Sequence, residues 1–311
     1  MTELETLQNG LQRLDKVLHN MTFDQARDIL SDNLPRVPIP ITDFDNSPFF
    51  FNQREYGGMN LVYRARPNEK GDTWASSNFT TVKELSYVPS DSLDKIKTHG
   101  RVNKPHEAIF YGAFDGSTAA IEILHANQAF IQSRSAFITI SIWRFTQPLI
   151  LADIPLSKRQ HDALYEELAG VDGFKSKFDE SYFKRQNEAK IALKYNELDN
   201  CVMDYFSDKF CESKEGNQHY KISNYYADRA FNRYPEIHPM PEGGVEGILY
   251  SSIAGSYQDR CIALLPDVVD TKLEFLEVQL VWARGHEKFE LDVIDVARAD
   301  ENGKLVWQKG R

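Results

Sequence analysis

The sequence predicts an α+β protein, and three observations carry that expectation. Strand-like segments fall into an early and a late cluster, helical segments lie between the clusters, and no regular strand–helix–strand alternation joins them. With 311 residues the chain is long enough for one large domain or two modest ones.

The first element repeats leucine at Leu4, Leu7, Leu11, Leu14 and Leu18, steps of three and four that place all five on one helical seam. That seam suits either docking on the chain's own domain or a small contact with a second copy or a partner. A second helix follows, with Thr22 as N-cap and Asp24 and Gln25 in its first turn. It stops before Pro35, and Pro35, Pro38 and Pro40 make an extended connection. Residues 1–45 therefore read as an N-terminal helical appendage to a domain spanning 46–311.

Early strands are expected at Leu61–Arg66, Ala108–Tyr111 and Ala136–Phe145, and late ones at Gly247–Tyr250, Arg260–Leu264, Leu273–Ala283 and Phe289–Val296. Asn302-Gly303 before Leu305-Val306-Trp307-Gln308 is a hairpin turn signal. Helices fit Ser117–Phe130, Ser157–Leu168, Asp179–Cys211 and Ile222–Tyr234. The stretch 155–219 is charged, helical and without strand signals, and reads as an insertion.

Composition narrows the function classes. Hydrophobic residues at 41% and charged residues at 26% are ordinary globular values, and 19 Phe with 14 Tyr predict an aromatic-rich core. A net charge of −10 argues against a general nucleic-acid surface, because phosphate backbones need a basic face, while leaving room for a local basic pocket. No run of eighteen apolar residues predicts a membrane span, and the N-terminus lacks the layout of a secretion signal. Three widely spaced cysteines, Cys201, Cys211 and Cys261, fit a reducing compartment, so a cytoplasmic location is expected.

Several chemistries lack their residues. The eight histidines include no close ligand pair, so no metal site is expected. Glu122 and His125 spell a single E-x-x-H where a di-iron bundle needs two. No G-x-G-x-x-G follows a strand, and no G-x-S-x-G surrounds Ser252.

Residues 99–124 hold more. Gly100-Arg101-Val102-Asn103 before Pro105 is turn chemistry, its Gly and Asn tolerating positive φ, and an arginine in such a turn presents a planar fork to phosphate. Arg64 ends an apolar–aromatic strand and alternates with Arg66, so both occupy one side of it. In the helix opened by Asp115-Gly116-Ser117, Ala120, Ile123, Leu124, Asn127 and Ile131 share one side, with Glu122 at its margin. A half-buried carboxylate there needs a partner.

In their order these pieces resemble the RES family of bacterial proteins. The matching elements are Tyr63-Arg64 at a strand end, the Gly100-Arg101-Val102-Asn103 turn, the strand Ile109-Phe110-Tyr111, and Thr118-Ala119-Ala120-Ile121-Glu122, with Glu122 eleven residues beyond Tyr111. Late in the chain come Gly247-Ile248-Leu249-Tyr250-Ser251-Ser252 and the strand Cys261–Leu265. Val102 stands where the family usually has Trp, and Ser251 where it usually has Pro. The resemblance covers roughly 61–125 and 221–266.

The resemblance implies an ADP-ribosyltransferase-like core of two small mixed or antiparallel sheets that binds NAD as a substrate, with no resident cofactor, and cleaves its nicotinamide–ribose bond. It implies Glu122, Arg101, Tyr111 and Ser252 as catalytic residues and Arg64, Tyr63 and Asn103 as substrate-binding residues. Arg64 and Arg101 would hold the diphosphate, Tyr111 would pack on nicotinamide, Glu122 would accept the ribose 2′-hydroxyl, and Ser252 would orient Glu122 or an arginine. Many family members are toxins paired with a helix-turn-helix antitoxin. Two other readings stay open: a mono-ADP-ribosyltransferase acting on a protein, and a silent nucleotide-binding protein. A homo-oligomer rests only on the leucine seam.

Overall fold

The structure is a computed structural model that describes residues 2–34, 37–44, 60–68, 79–126, 135–168, 195–212, 220–233, 244–252, 259–285 and 289–308. Along the chain run α1 (Glu3–Val17), α2 (Phe23–Asn33), β1 (Ile41–Phe44), β2 (Leu61–Pro67), β3 (Phe110–Ala113), α3 (Gly116–Ala126), β4 (Ser135–Phe145) and β5 (Leu149–Asp153). There follow α4 (Lys158–Leu168), α5 (Glu197–Phe210), α6 (Tyr220–Asp228), β6 (Gly247–Ser251), β7 (Arg260–Leu264), α7 (Pro266–Lys272), β8 (Leu273–Gly285), β9 (Phe289–Ala299) and β10 (Leu305–Gln308). This is an α+β protein with N-terminal helices and both parallel and antiparallel strand pairs.

The chain divides into two compact units: Met1–Thr42 with Ile96–Glu107 and Ile150–Ile253, and Asp43–Lys95 with Ala108–Leu149 and Ala254–Arg311. The N-terminal helices belong to the first unit. Both begin with a reciprocal capping box, Thr2 with Glu5 and Thr22 with Gln25, which satisfies two otherwise orphaned N–H groups at each start. The leucine seam is buried at Leu11, Leu14 and Leu18, α1 packs on α5, and α2 packs on α6. Docking within the chain is thus how the seam is used.

Two buried lysines fasten that docking. Lys221 on α6 donates to the carbonyls of Leu18 (3.0 Å) and Met21, where α1 and its following turn end. Lys209 on α5 pairs with Asp15 and Glu212, each at 2.8 Å, and Asp15 also accepts from the Tyr205 hydroxyl at 2.8 Å. Phe206, Phe210, Tyr225 and Tyr226 fill the helical core, as the aromatic content predicts. Nearby, β5 and β6 run parallel, Leu151 opposite Gly247 through Asp153 opposite Leu249, and β6 is buried along its whole length.

In the second unit the strand order is β7-β3-β2-β4-β8-β9-β10, every pair antiparallel. Trp143 stands edge-on to Phe110 (5.6 Å between centroids) and to Phe275 (5.3 Å), knitting β3, β4 and β8 together. The hairpin expected at Asn302-Gly303 forms, with Gly303 at φ 74° and Asp300 Oδ1 accepting from the Asn302 and Lys304 amides at 2.9 Å each.

The strands expected at 61–66, 136–145, 247–250, 260–264, 273–283 and 289–296 are present, several a residue or more longer. β3 starts two residues later than expected, and β1, β5 and α7 had no strong pattern to announce them. Within 155–219 the described residues, 155–168 and 195–212, contain helices and no strand. The parts of the expected helices at 127–130, 179–194 and 234 lie outside the described residues, as do Asn127 and Ile131.

Candidate functional site

The second unit holds Tyr63, Arg64, Tyr111 and Glu122, all on three elements that pack together: β2, β3 and α3. Tyr63 lies opposite Ala113 in the antiparallel β2–β3 pair, so directly opposed residues share a face and alternation assigns the rest. Tyr63, Ala65, Tyr111 and Ala113 fall on one face, and Val62, Arg64, Phe110 and Gly112 on the other.

Contacts agree with that register. A Cβ on Gly112 would stand 2.6 Å from Val62 Cγ2 and 3.1 Å from the Tyr63 carbonyl, so only glycine lets β3 lie this close to β2. The position of a Cβ on Gly116 at the start of α3 is 3.4 Å from the Tyr63 ring, which sets Tyr63 on the helix-facing side.

Arg64 is half-buried and ties the two strands. Its Nη1 donates to the Tyr111 carbonyl at 2.6 Å, and its guanidinium carbon lies 5.0 Å from the Phe110 ring centroid. Arg64 and Tyr111 therefore meet through the strand backbone, while register sends the guanidinium and the phenol to opposite faces. Arg66, on the same side of β2 as Arg64, donates to the Ser86 carbonyl.

Helix α3 carries Glu122 half-buried, with Thr118, Ala119, Ala120 and Leu124 buried around it and Ile123 only partly so. The covered part of the helix is thus broader than the 120–123–124 stripe expected from the wheel. Two carboxylates that sequence reasoning did not assign to a site stand at its first turn. Asp115 Oδ1 accepts from the Thr118 amide at 3.0 Å as an N-cap, and Asp259 Oδ2 accepts from the Thr118 hydroxyl at 2.7 Å. Burial raises the Asp259 carboxyl above the ordinary aspartate range, the Thr118 bond offsets part of that, and the nearby charge of Asp115 adds to it. Asp115 was legible as a helix opener. Asp259 is 141 residues from Thr118 and has no local signal.

The first unit holds Arg101, Asn103 and Ser252. The Gly100–Asn103 turn is closed by the Gly100 amide donating to the Asn103 carbonyl at 2.9 Å. Neither Gly100 nor Asn103 takes a positive φ; the left-handed residue of this loop is His106, at φ 66°. Asn224 on α6 holds the turn by donating to the Gly100 carbonyl at 2.6 Å, and Lys104 pairs with Asp228 at 2.9 Å.

Arg101 donates to the carbonyl of Phe210, the last residue of α5, and lies 5.6 Å over the Tyr220 ring. A cation at a helix C-terminus meets both an open carbonyl and the negative end of the macrodipole. Asn103 is buried and donates to the Lys104 carbonyl at 2.9 Å. Ser252 is fully buried at 0% exposure, beside Ser251, whose carbonyl accepts a weak bond from the Cys211 thiol at 3.6 Å. A serine so enclosed can orient its neighbours.

The structure thus brings Tyr63, Arg64, Tyr111 and Glu122 onto one packed substructure and Arg101 and Asn103 onto another, with Ser252 in the same unit as the latter pair. Among the described residues no group of three His, Cys, Asp or Glu side chains could hold a metal ion, and no helix is long and apolar enough to cross a membrane. Searches against protein-family models and against curated proteins found no match for the chain.

Proposed function

We propose that this protein degrades NAD by cleaving the bond between nicotinamide and ribose, with water or phosphate bonding to the ribosyl carbon as nicotinamide leaves, on a core of the ADP-ribosyltransferase type, as its resemblance to the RES family implies. The observation that supports this most is the position of Glu122: half-buried on α3, which packs on the strand pair whose helix-facing side carries Tyr63 and Tyr111.

That combination suits the chemistry. Breaking the N-glycosidic bond builds positive charge on the ribose, an oxocarbenium-like state comparable with glycoside hydrolysis. Nicotinamide leaves neutral, so no acid is needed to protonate it. What the reaction needs is a carboxylate to stabilise the ribose and aromatic walls to exclude water. Glu122 accepts a bond from the 2′-hydroxyl that strengthens as charge develops, and Tyr111 packs on the nicotinamide ring.

Arg64 takes a different part from the one its motif suggests. With one Nη on the Tyr111 carbonyl and its face on Phe110, it sets where β3, and therefore Tyr111, lies. The resemblance assigns Arg101 to the diphosphate; within the first unit it caps α5 through the Phe210 carbonyl. Ser252 orients. In a bacterial host such an activity is that of a toxin held in check by an antitoxin protein of the helix-turn-helix kind.

The experiment is purified protein incubated with NAD, in water-based and in phosphate buffers, with nicotinamide scored by chromatography. The parent releases nicotinamide, and Glu122→Gln lowers the rate by about 10²–10³. Equal turnover by the parent and this variant overturns the assignment.

A further inference from the structure

We propose that Asp259, acting through Thr118 and Asp115, is the device that positions Glu122, an inference that rests on the NAD-cleaving reading of this site. Thr118 is 1% exposed and spends both its donors on carboxylates: its amide on Asp115 at 3.0 Å and its hydroxyl on Asp259 at 2.7 Å. The hydroxyl has one proton, and Asp115 Oδ1 lies 3.5 Å away, so Asp259 takes it.

The two carboxylates have different origins. Asp115 is local, and its carbonyl accepts the first helical bond from Ala119 at 3.0 Å. Asp259 immediately precedes β7, and the same junction is fastened a second time where the Phe114 amide donates to the Arg260 carbonyl at 3.3 Å. The first turn of α3 is therefore held at its cap and across to the entry of β7, the latter by a hydroxyl–carboxyl bond of 2.7 Å.

Thr118 and Glu122 are four residues apart and lie one above the other on the helix surface. Whatever sets the height and rotation of Thr118 sets Glu122 one turn further on. A displacement of 1 Å at a group that must meet a reacting ribose costs about 10² in rate. Asp259 thus reaches the chemistry without touching substrate, and is a positioning residue.

The test compares Thr118→Val and Asp259→Ala, which remove the bond, with Thr118→Ser and Asp259→Asn, which keep a hydroxyl donor or an amide acceptor. Two readouts are taken on the full chain: kcat and KM for NAD cleavage, and amide hydrogen exchange across residues 118–124. The first pair lowers kcat about tenfold or more with KM within about twofold of the parent, and exchange in α3 quickens. The second pair recovers most of kcat and restores the protection of α3.

Parental kcat in Thr118→Val and Asp259→Ala overturns the proposal, and so does an equal loss in the conservative pair, which would point to a general loss of folding. A parent that releases no nicotinamide removes the cleavage reading, and the fastening then rests on exchange alone. Unchanged protection of α3 in Thr118→Val and Asp259→Ala overturns it there too.

Discussion

Two arginines drawn from one motif set sit in the two units of this protein with the same pair of contacts and different consequences. Arg64 gives one Nη to a strand carbonyl and lies over Phe110; Arg101 gives one Nη to a helix-terminal carbonyl and lies over Tyr220. The strand carbonyl belongs to a ladder whose dipoles largely cancel. The helix carbonyl is that of the last residue of α5, at the negative pole of its macrodipole. An arginine is thus an alignment pin in one place and a helix cap in the other, and neither contact by itself requires a ligand.

The comparison is broken most strongly by stability measurements on the two alanine variants. Arg101→Ala removes a charge-assisted bond and the cation at the end of α5, and is expected to cost about 2–3 kcal/mol in urea unfolding. Arg64→Ala is expected to cost about 1.5 kcal/mol and to lower kcat for NAD cleavage through Tyr111. Equal costs would mean that the helix end adds nothing to Arg101.

The acidic turn of α3 sharpens it through pH. Asp259 titrates above its unfolded value because of burial, against the opposing Thr118 bond, and because of Asp115. Between the unfolded and folded values the native state keeps a proton that the unfolded state has lost. Stability therefore falls as pH rises through that window, and the deficit persists above it. Asp259→Asn should unfold at a higher temperature than the parent at pH 7, with the two converging below the ordinary aspartate range. A lower midpoint for Asp259→Asn at pH 7 would contradict this sign.

The smallest effect belongs to the loop after the Arg101 turn. His106 holds φ at 66°, where a side chain is crowded against its own backbone, and its amide donates to the Ile96 carbonyl at 2.9 Å. His106→Gly should raise stability by up to about 1 kcal/mol, read as a shift in the unfolding midpoint. No gain would mean that the loop, not the side chain, dictates this backbone.

What could be read from the chain divides along physical lines. Short apolar runs such as 260–264 and the Asn302-Gly303 turn are local signals, and the elements appear where they point. The leucine seam of α1 was equally legible, although which helix it meets was not, because α5 is remote in sequence. β1 and β5 follow Pro40 and Pro148 directly and carry no alternating polar pattern to announce them. The Gly100–Asn103 turn was visible as a turn, yet its positive φ moved to His106, because the Gly100–Asn103 backbone bond closes without one. The side on which Tyr111 projects depends on register with β2, and one residue of slip would reverse it. Asp259 came only from tertiary packing.

The most direct measurement is nicotinamide release from NAD by the purified protein beside Glu122→Gln, both shown to be folded. Release by the parent and a fall of about 10² or more in the variant is the expected result. A variant that matches its parent, or a parent that leaves NAD intact in every buffer while correctly folded, would contradict the proposal that Glu122 stabilises a ribosyl cation here.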